Sequence, residues 1–227
     1  MDFLIIDKEI ASVAPDFRAI SILADATNAT SGSMARQVLD EACDFVRNGG
    51  PVWSEAHLAG WAEVYIRFGA KPNRTPCSAQ ALRKRVQKDG RIPAINPLVD
   101  LYNAVSLRYA IPVGGENFDA YVGKPRLTVA DGTEEFDTVM NGEAFIENPI
   151  KGEVVWRDDT GVTCRRWNWR QGTRTRLDSV GGRMWFILES LSGMPEAALE
   201  DAANMLVNGL NQMAPGCEIQ RQNVAVG

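Results

Sequence analysis

The sequence predicts an α+β fold, with helices concentrated in the first half of the chain and short strands in the second. Apolar residues recur at helical spacing between residues 33 and 110, where serines and glycines mark helix ends. From Leu127 onward, short β-branched and aromatic runs alternate with turn residues. Helices and strands grouped along the chain in this way are typical of α+β proteins.

The composition is that of an ordinary globular protein. The chain has 227 residues, and its 45% hydrophobic content is enough for one large domain or two small ones. No apolar run approaches the ~20 residues of a membrane helix, and the first seven residues lack the basic start of a signal peptide. We therefore expect a cytoplasmic protein with no membrane partner.

Cysteine and histidine usage argues against metal, redox and histidine-based chemistry. The cysteines are far apart and form no CxxC pair: Cys43, Cys77, Cys164 and Cys217. We expect these cysteines to be reduced and structural, and we expect neither a metal nor another cofactor. His57 is the only histidine, which excludes most hydrolases that use a histidine base. Its place in the first turn of a predicted helix indicates a surface or packing residue.

The first ninety residues predict two strands and three helices. The strands are Phe3–Asp7 and Phe17–Asp25, the second bounded by the polar run 27–32. The helices begin near Ser33, at a Ser54 cap and at a Ser78 cap, and they end at Gly49–Gly50, Gly69 and Gly90.

The best-defined element is a helix that begins at Asn96 and Pro97. Asn96 is a good N-cap, and Pro97 suits the first helical position, where its missing N–H is not needed. The inward stripe has i, i+3, i+4, i+7 spacing: Leu98, Leu101, Tyr102 and Val105. Asn103 lies one residue past this stripe, where it either holds a ligand or is a satisfied boundary residue.

Two clusters of basic residues stand out against a net charge of −5. The first is Arg83, Lys84, Arg85, Lys88 and Arg91; the second is Arg165, Arg166, Arg170, Arg174 and Arg176. The acidic remainder argues against indiscriminate nucleic-acid binding, whereas local patches suit a defined anionic partner. We expect the helical residues Arg83, Lys84, Arg85 and Lys88 to point outward and contact RNA; the alternative is a solvated surface.

The central helix is followed by a Gly- and Pro-rich segment and then by a hairpin. Residues Gly114, Gly115, Glu116 and Asn117 are expected to be irregular and to bring backbone close to a ligand. The hairpin pairs Glu153–Arg157 with Thr163–Arg170. Alternation would put Arg166, Asn168 and Arg170 on one face and Arg165, Trp167 and Trp169 on the other. The tryptophans either seat a nucleotide or belong to the core.

A buried-looking strand, 183–191, carries one carboxylate near its end. Glu189 shares a face with Trp185 and Ile187, so it requires a partner or a ligand to offset its desolvation. The last helix, Ser192–Met213, is amphipathic and is assigned only to packing.

The string Ile95–Asn103, followed by Pro112 and Phe118–Asp119, resembles the core motif of the B3/B4 module in the beta subunit of bacterial phenylalanyl-tRNA synthetase. Gly152–Val155, Cys164–Arg170 and the strand ending at Glu189 are similar to free-standing members of that family. The resemblance covers about 55–195. It implies a single 1–227 domain with an N-terminal elaboration (1–54) and a C-terminal helix and tail (196–227).

In the synthetase, this module is an α+β fold of mixed and antiparallel sheets with packed helices. It holds the editing site that hydrolyses tyrosine wrongly esterified to phenylalanine tRNA. By resemblance, Asn103 corresponds to a pocket Asn and Glu189 to a Glu that recognises the tyrosine hydroxyl. Tyr102 takes the place of a pocket Thr, and the segment 114–117 replaces one that carries a pocket His. Aminoacylation motifs and an ATP site are absent from the sequence.

Two functions follow as hypotheses. In the first, the chain is a trans-acting deacylase of mischarged aminoacyl-tRNA, in which Asn103 orients the water or carbonyl and Glu116 or Glu189 holds the amino group or a polar group of the side chain. Arg166 and Arg170 would then meet the tRNA end, and an amino-acid moiety would occupy a pocket that also includes Tyr102, Gly114, Gly115, Asn117 and Asn168. In the second, the chain is a non-catalytic RNA-, tRNA- or amino-acid-binding module that kept the fold. The oligomeric state is left open.

Overall fold

The computed structural model describes residues 3–25, 33–177 and 182–226, so the polar run 27–32 lies outside the described residues. The helices are α1 (Glu9–Val13), α2 (Ser33–Arg47), α3 (Ser54–Arg67), α4 (Ser78–Asp89), α5 (Pro97–Tyr109) and α6 (Glu196–Met213), with a 3-10 turn at Phe118–Ala120. The strands are β1 (Ile5–Ile6), β2 (Arg18–Asp25), β3 (Val113–Asn117), β4 (Arg126–Val129), β5 (Phe136–Met140), β6 (Glu143–Glu147), β7 (Val154–Arg157), β8 (Val162–Arg165), β9 (Arg170–Gln171), β10 (Arg183–Ser190) and β11 (Glu218–Ala225). The α+β prediction is confirmed; α1 and β11 were not predicted.

The smaller sheet is antiparallel, with the strand order β11-β2-β10-β3. Strand β10 lies inside it and pairs with β3, so that Trp185 is opposite Glu116 and Ile187 is opposite Gly114. Because alternate residues share a face, Glu116, Gly114 and Glu189 all lie on one side of this sheet. Strand β2, from the segment predicted as an elaboration, pairs with β10 over its whole length. The division at residues 54 and 195 stays a prediction.

The larger sheet is mixed, with the strand order β1-β4-β7-β8-β5-β6 and β9 added at β8. Strands β7 and β8 form the predicted hairpin, but β8 ends at Arg165 and not at Arg170. Arg166 and Trp167 have left-handed backbones, with φ of 47° and 65°, so the chain turns there. The predicted alternation over 166–170 is therefore wrong.

Both faces of the smaller sheet are covered. On one face Phe186 packs in a core with Leu101 of α5 and Leu206 of α6. On the other, Trp185 packs with Trp61 of α3 and Trp156 of β7. The larger sheet and α3 thus press against the face that carries Glu116 and Glu189.

Helix α5 begins as predicted, because its signals are local. Asn96 Oδ1 accepts a hydrogen bond from Val99 N (2.9 Å) and Pro97 is the first helical residue. The Ser54 and Ser78 caps are each wrong by one residue: the N-caps are Trp53 and Cys77. Both serines are the first residues of their helices.

His57 is a buried packing residue. Its Nδ1 lies 2.8 Å from the Ala110 carbonyl oxygen, while Nε2 accepts from Trp61 Nε1 and Leu191 N, both at 3.2 Å. This pattern assigns the neutral Nδ1–H tautomer. Burial lowers the pKa of His57 to about 4. Within the described ranges, no helix is both long and apolar enough to cross a membrane.

We expect His57 to make the fold sensitive to acid. The folded-state pKa lies below the unfolded value, so the stabilisation is complete above pH 6.5 and is lost as the pH falls toward 4. From this group alone, the loss in unfolding free energy is about 3 kcal/mol. Urea denaturation of the wild type and of His57→Gln at several pH values measures it. Parallel pH dependences of the two proteins would show that His57 does not titrate in this range.

Candidate active site

A cavity of about 250 Å³ lies where α5, β3, β10, the start of α4 and the turn after β8 meet. Eight of the sequence-predicted site residues line it: Tyr102, Asn103, Gly114, Gly115, Glu116, Asn168, Arg170 and Glu189. The elements expected to enclose a pocket therefore do meet around one cavity. The chemical roles of these residues stay predictions.

Two predicted site residues lie beside the lining. Asn117 ends β3, and its side-chain oxygen accepts a hydrogen bond from Asp119 N at 3.0 Å. The Arg166 guanidinium packs over Trp169, 4.2 Å from the ring centroid. Trp169 lines the cavity, so Arg166 contacts a residue of the cavity wall and does not line the cavity itself.

Segment 113–117 is a strand and not the predicted irregular loop, because pairing with β10 outweighs its glycine content. A Cβ at Gly114 would lie 3.4 Å from Ile187 Cγ2, an ordinary contact. A Cβ at Gly115 would lie 2.9 Å from the rings of both Tyr102 and Phe186. Gly114 therefore leaves room in the pocket floor, whereas Gly115 lets α5 approach the sheet.

Glu189 is buried at 1% exposure and accepts hydrogen bonds from neutral donors. Oε1 accepts from Trp156 Nε1 (2.9 Å) and Trp167 Nε1 (2.8 Å), and Oε2 accepts from Asn168 Nδ2 (2.9 Å). Burial raises the pKa of Glu189 to about 7, although the three hydrogen bonds act to lower it. The sequence analysis did not predict the two indole donors, because they lie on β7 and in the turn after β8, far from Glu189 along the chain.

Glu116 is the second buried carboxyl of the pocket, at 4% exposure. Its Oε2 accepts a hydrogen bond of 2.6 Å from the Tyr121 hydroxyl, which was not predicted. Burial raises the pKa of Glu116 to about 7. Among the described residues, no Lys, Arg or His nitrogen lies within 4.0 Å of either carboxyl. The pocket therefore holds two carboxyls without a paired cation.

Asn103 presents to the cavity a side-chain amide without a protein partner among the described residues. It is 91% buried, lines the cavity and makes no side-chain hydrogen bond within the part of the chain that the structure describes. Its amide offers two donors and an acceptor to a ligand in the cavity. The Ser78 Oγ in the same wall is buried and has no hydrogen-bond partner among those residues.

The turn after β8 is held by a buried ion pair. Glu153 accepts from Arg165 Nε (2.9 Å) and Nη2 (2.7 Å), and also from the Arg166 backbone N–H (3.0 Å). Arg165 also pairs with Glu147 at 2.9 Å. This anchor directs Trp167 inward to Glu189 and places Trp169 in the cavity wall.

Helix α4 presents only part of its basic cluster to solvent. Arg83 is 2% exposed, so the prediction that it points outward is wrong. It follows Ala79 by four residues and precedes Val86 by three, which puts it on the buried stripe of the helix. Its Nη2 lies 3.4 Å from the Gly49 carbonyl oxygen. Lys84, Arg85 and Lys88 are exposed, and their RNA contact stays a prediction.

The profile of one protein family, described as B3/4 domain, matches residues 60–210. The match spans every lining residue of the cavity, from Ser78 to Glu189. No curated protein matches the chain.

The two floor glycines should respond oppositely to a methyl group. Gly114→Ala adds a methyl at contact distance and should change the unfolding free energy by less than about 0.5 kcal/mol. Gly115→Ala meets two aromatic rings and should lose about 1–3 kcal/mol. Urea denaturation measures both. Equal losses in the two variants would contradict the assigned geometry.

Proposed function

This chain belongs to the B3/4 domain family, which implies a tRNA-related function, and we propose that it is a trans-acting editing deacylase. Its substrate is the ester of a mischarged aminoacyl-tRNA. The observation that carries the proposal is that the unpartnered Asn103 amide and the buried Glu116 carboxyl line the same pocket. The cavity lies below the range of about 300–1,000 Å³ typical of drug-sized ligands, which suits an amino-acid moiety.

Hydrolysis of this ester requires a positioned water and a modest base, because the ester is already activated. A group with a pKa near the working pH is best suited to accept a proton, and Glu116 has a pKa of about 7. Its carboxylate takes a proton from water as the oxygen attacks the ester carbonyl carbon. Asn103 donates to the carbonyl oxygen as charge develops there. The bond to the ribose oxygen then breaks, and that oxygen takes the proton back from Glu116.

Glu189 has a different role in this mechanism. Its three internal hydrogen bonds hold Trp156, Trp167 and Asn168 in the pocket wall. In its ionised form, the carboxylate favours the α-ammonium group or a polar side chain of the bound amino acid. Glu189 therefore orients the substrate, while Glu116 moves the proton.

Two basic surfaces border the pocket and support an RNA end as the carrier of the ester. Ala81 and Leu82 of α4 line the cavity, and Lys84 and Arg85 lie three and four residues after Ala81, on the same face of the helix. Arg170 of β9 also lines it. Local positive charge on an acidic protein directs an anionic backbone to this opening.

A second candidate function is a binding module that recognises tRNA, RNA or an amino acid without chemistry. The observation in its favour is that Glu189 already accepts three internal hydrogen bonds, while His57 packs in the core and is not in the pocket. On this alternative the same pocket binds the same ligand and releases it unchanged.

A deacylation assay separates the two functions. We expect the wild type to release the amino acid from a member of a panel of mischarged tRNAs that includes Tyr-tRNAPhe. The value of kcat/KM should rise with pH to a plateau, with an apparent pKa of about 7, because Glu116 must be ionised. Glu116→Gln and Asn103→Ala should each lose about 100-fold or more.

Gly114→Ala, which fills the floor, should weaken substrate binding, whereas Phe145→Ala, an exposed ring outside the cavity lining, should behave as the wild type. Thermal melts establish that each variant is folded. Tight tRNA binding without release of any amino acid would leave the binding module as the function.

The exposed face of α4 should govern salt-dependent RNA binding. Replacing Lys84, Arg85 and Lys88 with Ala should flatten the slope of log Kd against log salt by about 2–3. The variant would neutralise fewer phosphates, so its binding would release fewer counterions. The control variant replaces three other exposed basic residues, Lys8, Arg47 and Lys151, with Ala, so the two variants have the same net charge. Filter binding to tRNA at several salt concentrations measures both slopes. Equal slopes for the two triple variants would exclude α4 from the interface.

A further inference from the structure

We propose that Trp169, together with the Arg166 and Arg170 guanidinium groups, is a stacking platform for the terminal unpaired base of the RNA whose ester enters the pocket. The assignment rests on the proposed function and identifies the ligand as an aminoacylated nucleoside end, not a free amino acid. It also names a positioning residue outside the reacting groups.

Trp169 differs from the other tryptophans around the site. Trp61, Trp156, Trp167 and Trp185 are each at most 2% exposed, and their indole N–H groups donate to internal acceptors. Trp169 is half-buried, lines the cavity, and its indole N–H has no partner among the described residues. An aromatic face at the wall of a small-ligand pocket is available for a second, flat part of the same ligand.

The guanidinium groups complete the platform. Arg166 lies 4.2 Å and Arg170 lies 5.9 Å from the Trp169 ring centroid. Arg170 donates to the Val139 carbonyl oxygen at 3.2 Å and has no carboxylate within 4.0 Å in the described ranges. Its charge is therefore free to meet a phosphate next to the stacked base. Aromatic rings combined with arginine are the usual means of holding single-stranded nucleic acid.

The backbone is built to hold this arrangement. Two consecutive non-glycine residues, Arg166 and Trp167, have left-handed φ values, a conformation that persists only where surrounding contacts enforce it. Glu153 enforces it by accepting from the Arg166 N–H at 3.0 Å. The segment is also joined to the pocket floor, because Gln171 Nε2 donates to the Gly115 carbonyl oxygen at 2.9 Å. The platform and the ester pocket are thus held at a fixed separation.

This geometry defines the ligand. An aminoacyl group in the pocket is covalently bound to a ribose, and the base on that ribose is the part that reaches the adjacent aromatic wall. Every base has a π face, so the platform selects an unpaired nucleotide and tolerates its identity.

The test compares two stable ligands that carry the same aminoacyl group. One is a 3′-aminoacylamino-3′-deoxyadenosine and the other is the amino-acid methylamide, each made with tyrosyl, alanyl, seryl and lysyl groups. Calorimetry on the wild type should show the nucleoside ligand binding about 5- to 150-fold more tightly than its methylamide, as expected for one stacked base. The uridine analogue should bind within a few-fold of the adenosine ligand.

Trp169→Ala should remove this gain and leave the methylamide affinity unchanged. Trp169→Phe should keep part of the gain, and Phe145→Ala, an exposed ring outside the lining, should keep all of it. A gain that survives in Trp169→Ala, or no gain in the wild type, overturns the platform. If the wild type still deacylates tRNA in that case, the proposed function stands. A gain that depends on Trp169 without deacylation supports the platform on a binding module, and no binding of either ligand overturns both.

Discussion

The buried carboxylate of Glu189 is the interaction on which the site depends. It lies on β10 of the smaller sheet, and its donors come from β7 of the larger sheet and from the turn after β8. One side chain therefore joins three separate parts of the chain. Removing a carboxylate from water is unfavourable, and hydrogen bonds from neutral groups recover only part of that free energy. The geometry of the two indoles and of Asn168 follows from the need to supply those hydrogen bonds.

The second carboxyl, Glu116, makes the pocket chemically unusual. It lies on the same face of the sheet as Glu189, and each is buried without a paired cation in the described part of the chain. Their pKa values are both raised to about 7, and the charge of Glu116 contributes to the shift at Glu189. Such a pocket resists holding two negative charges and favours a ligand that brings a positive one. An α-ammonium group meets that requirement.

The turn after β8 places two tryptophans at the site. The Glu153–Arg165 pair is almost completely buried, and its main effect is to fix the left-handed turn at Arg166 and Trp167. Buried ion pairs contribute little net stability but specify conformation in some proteins. Here the specified conformation separates Trp167, which supports Glu189, from Trp169, which faces the cavity.

Capping and apolar periodicity act over a few residues, so the sequence predicts the local structure well. Helix α5 with its Asn96 cap, the hairpin and the strand of Glu189 follow from such signals. The expectation that Asn103, Gly114 and Glu189 surround one pocket came instead from the family resemblance of the motifs around them. Which groups these elements contact depends on tertiary packing. Pairing with β10 makes the glycine-rich segment a strand, α4 packs Arg83 inward, and the donors to Glu189 lie 21, 22 and 33 residues away. Contacts at that separation leave no local pattern, since they depend on how whole sheets are placed against each other.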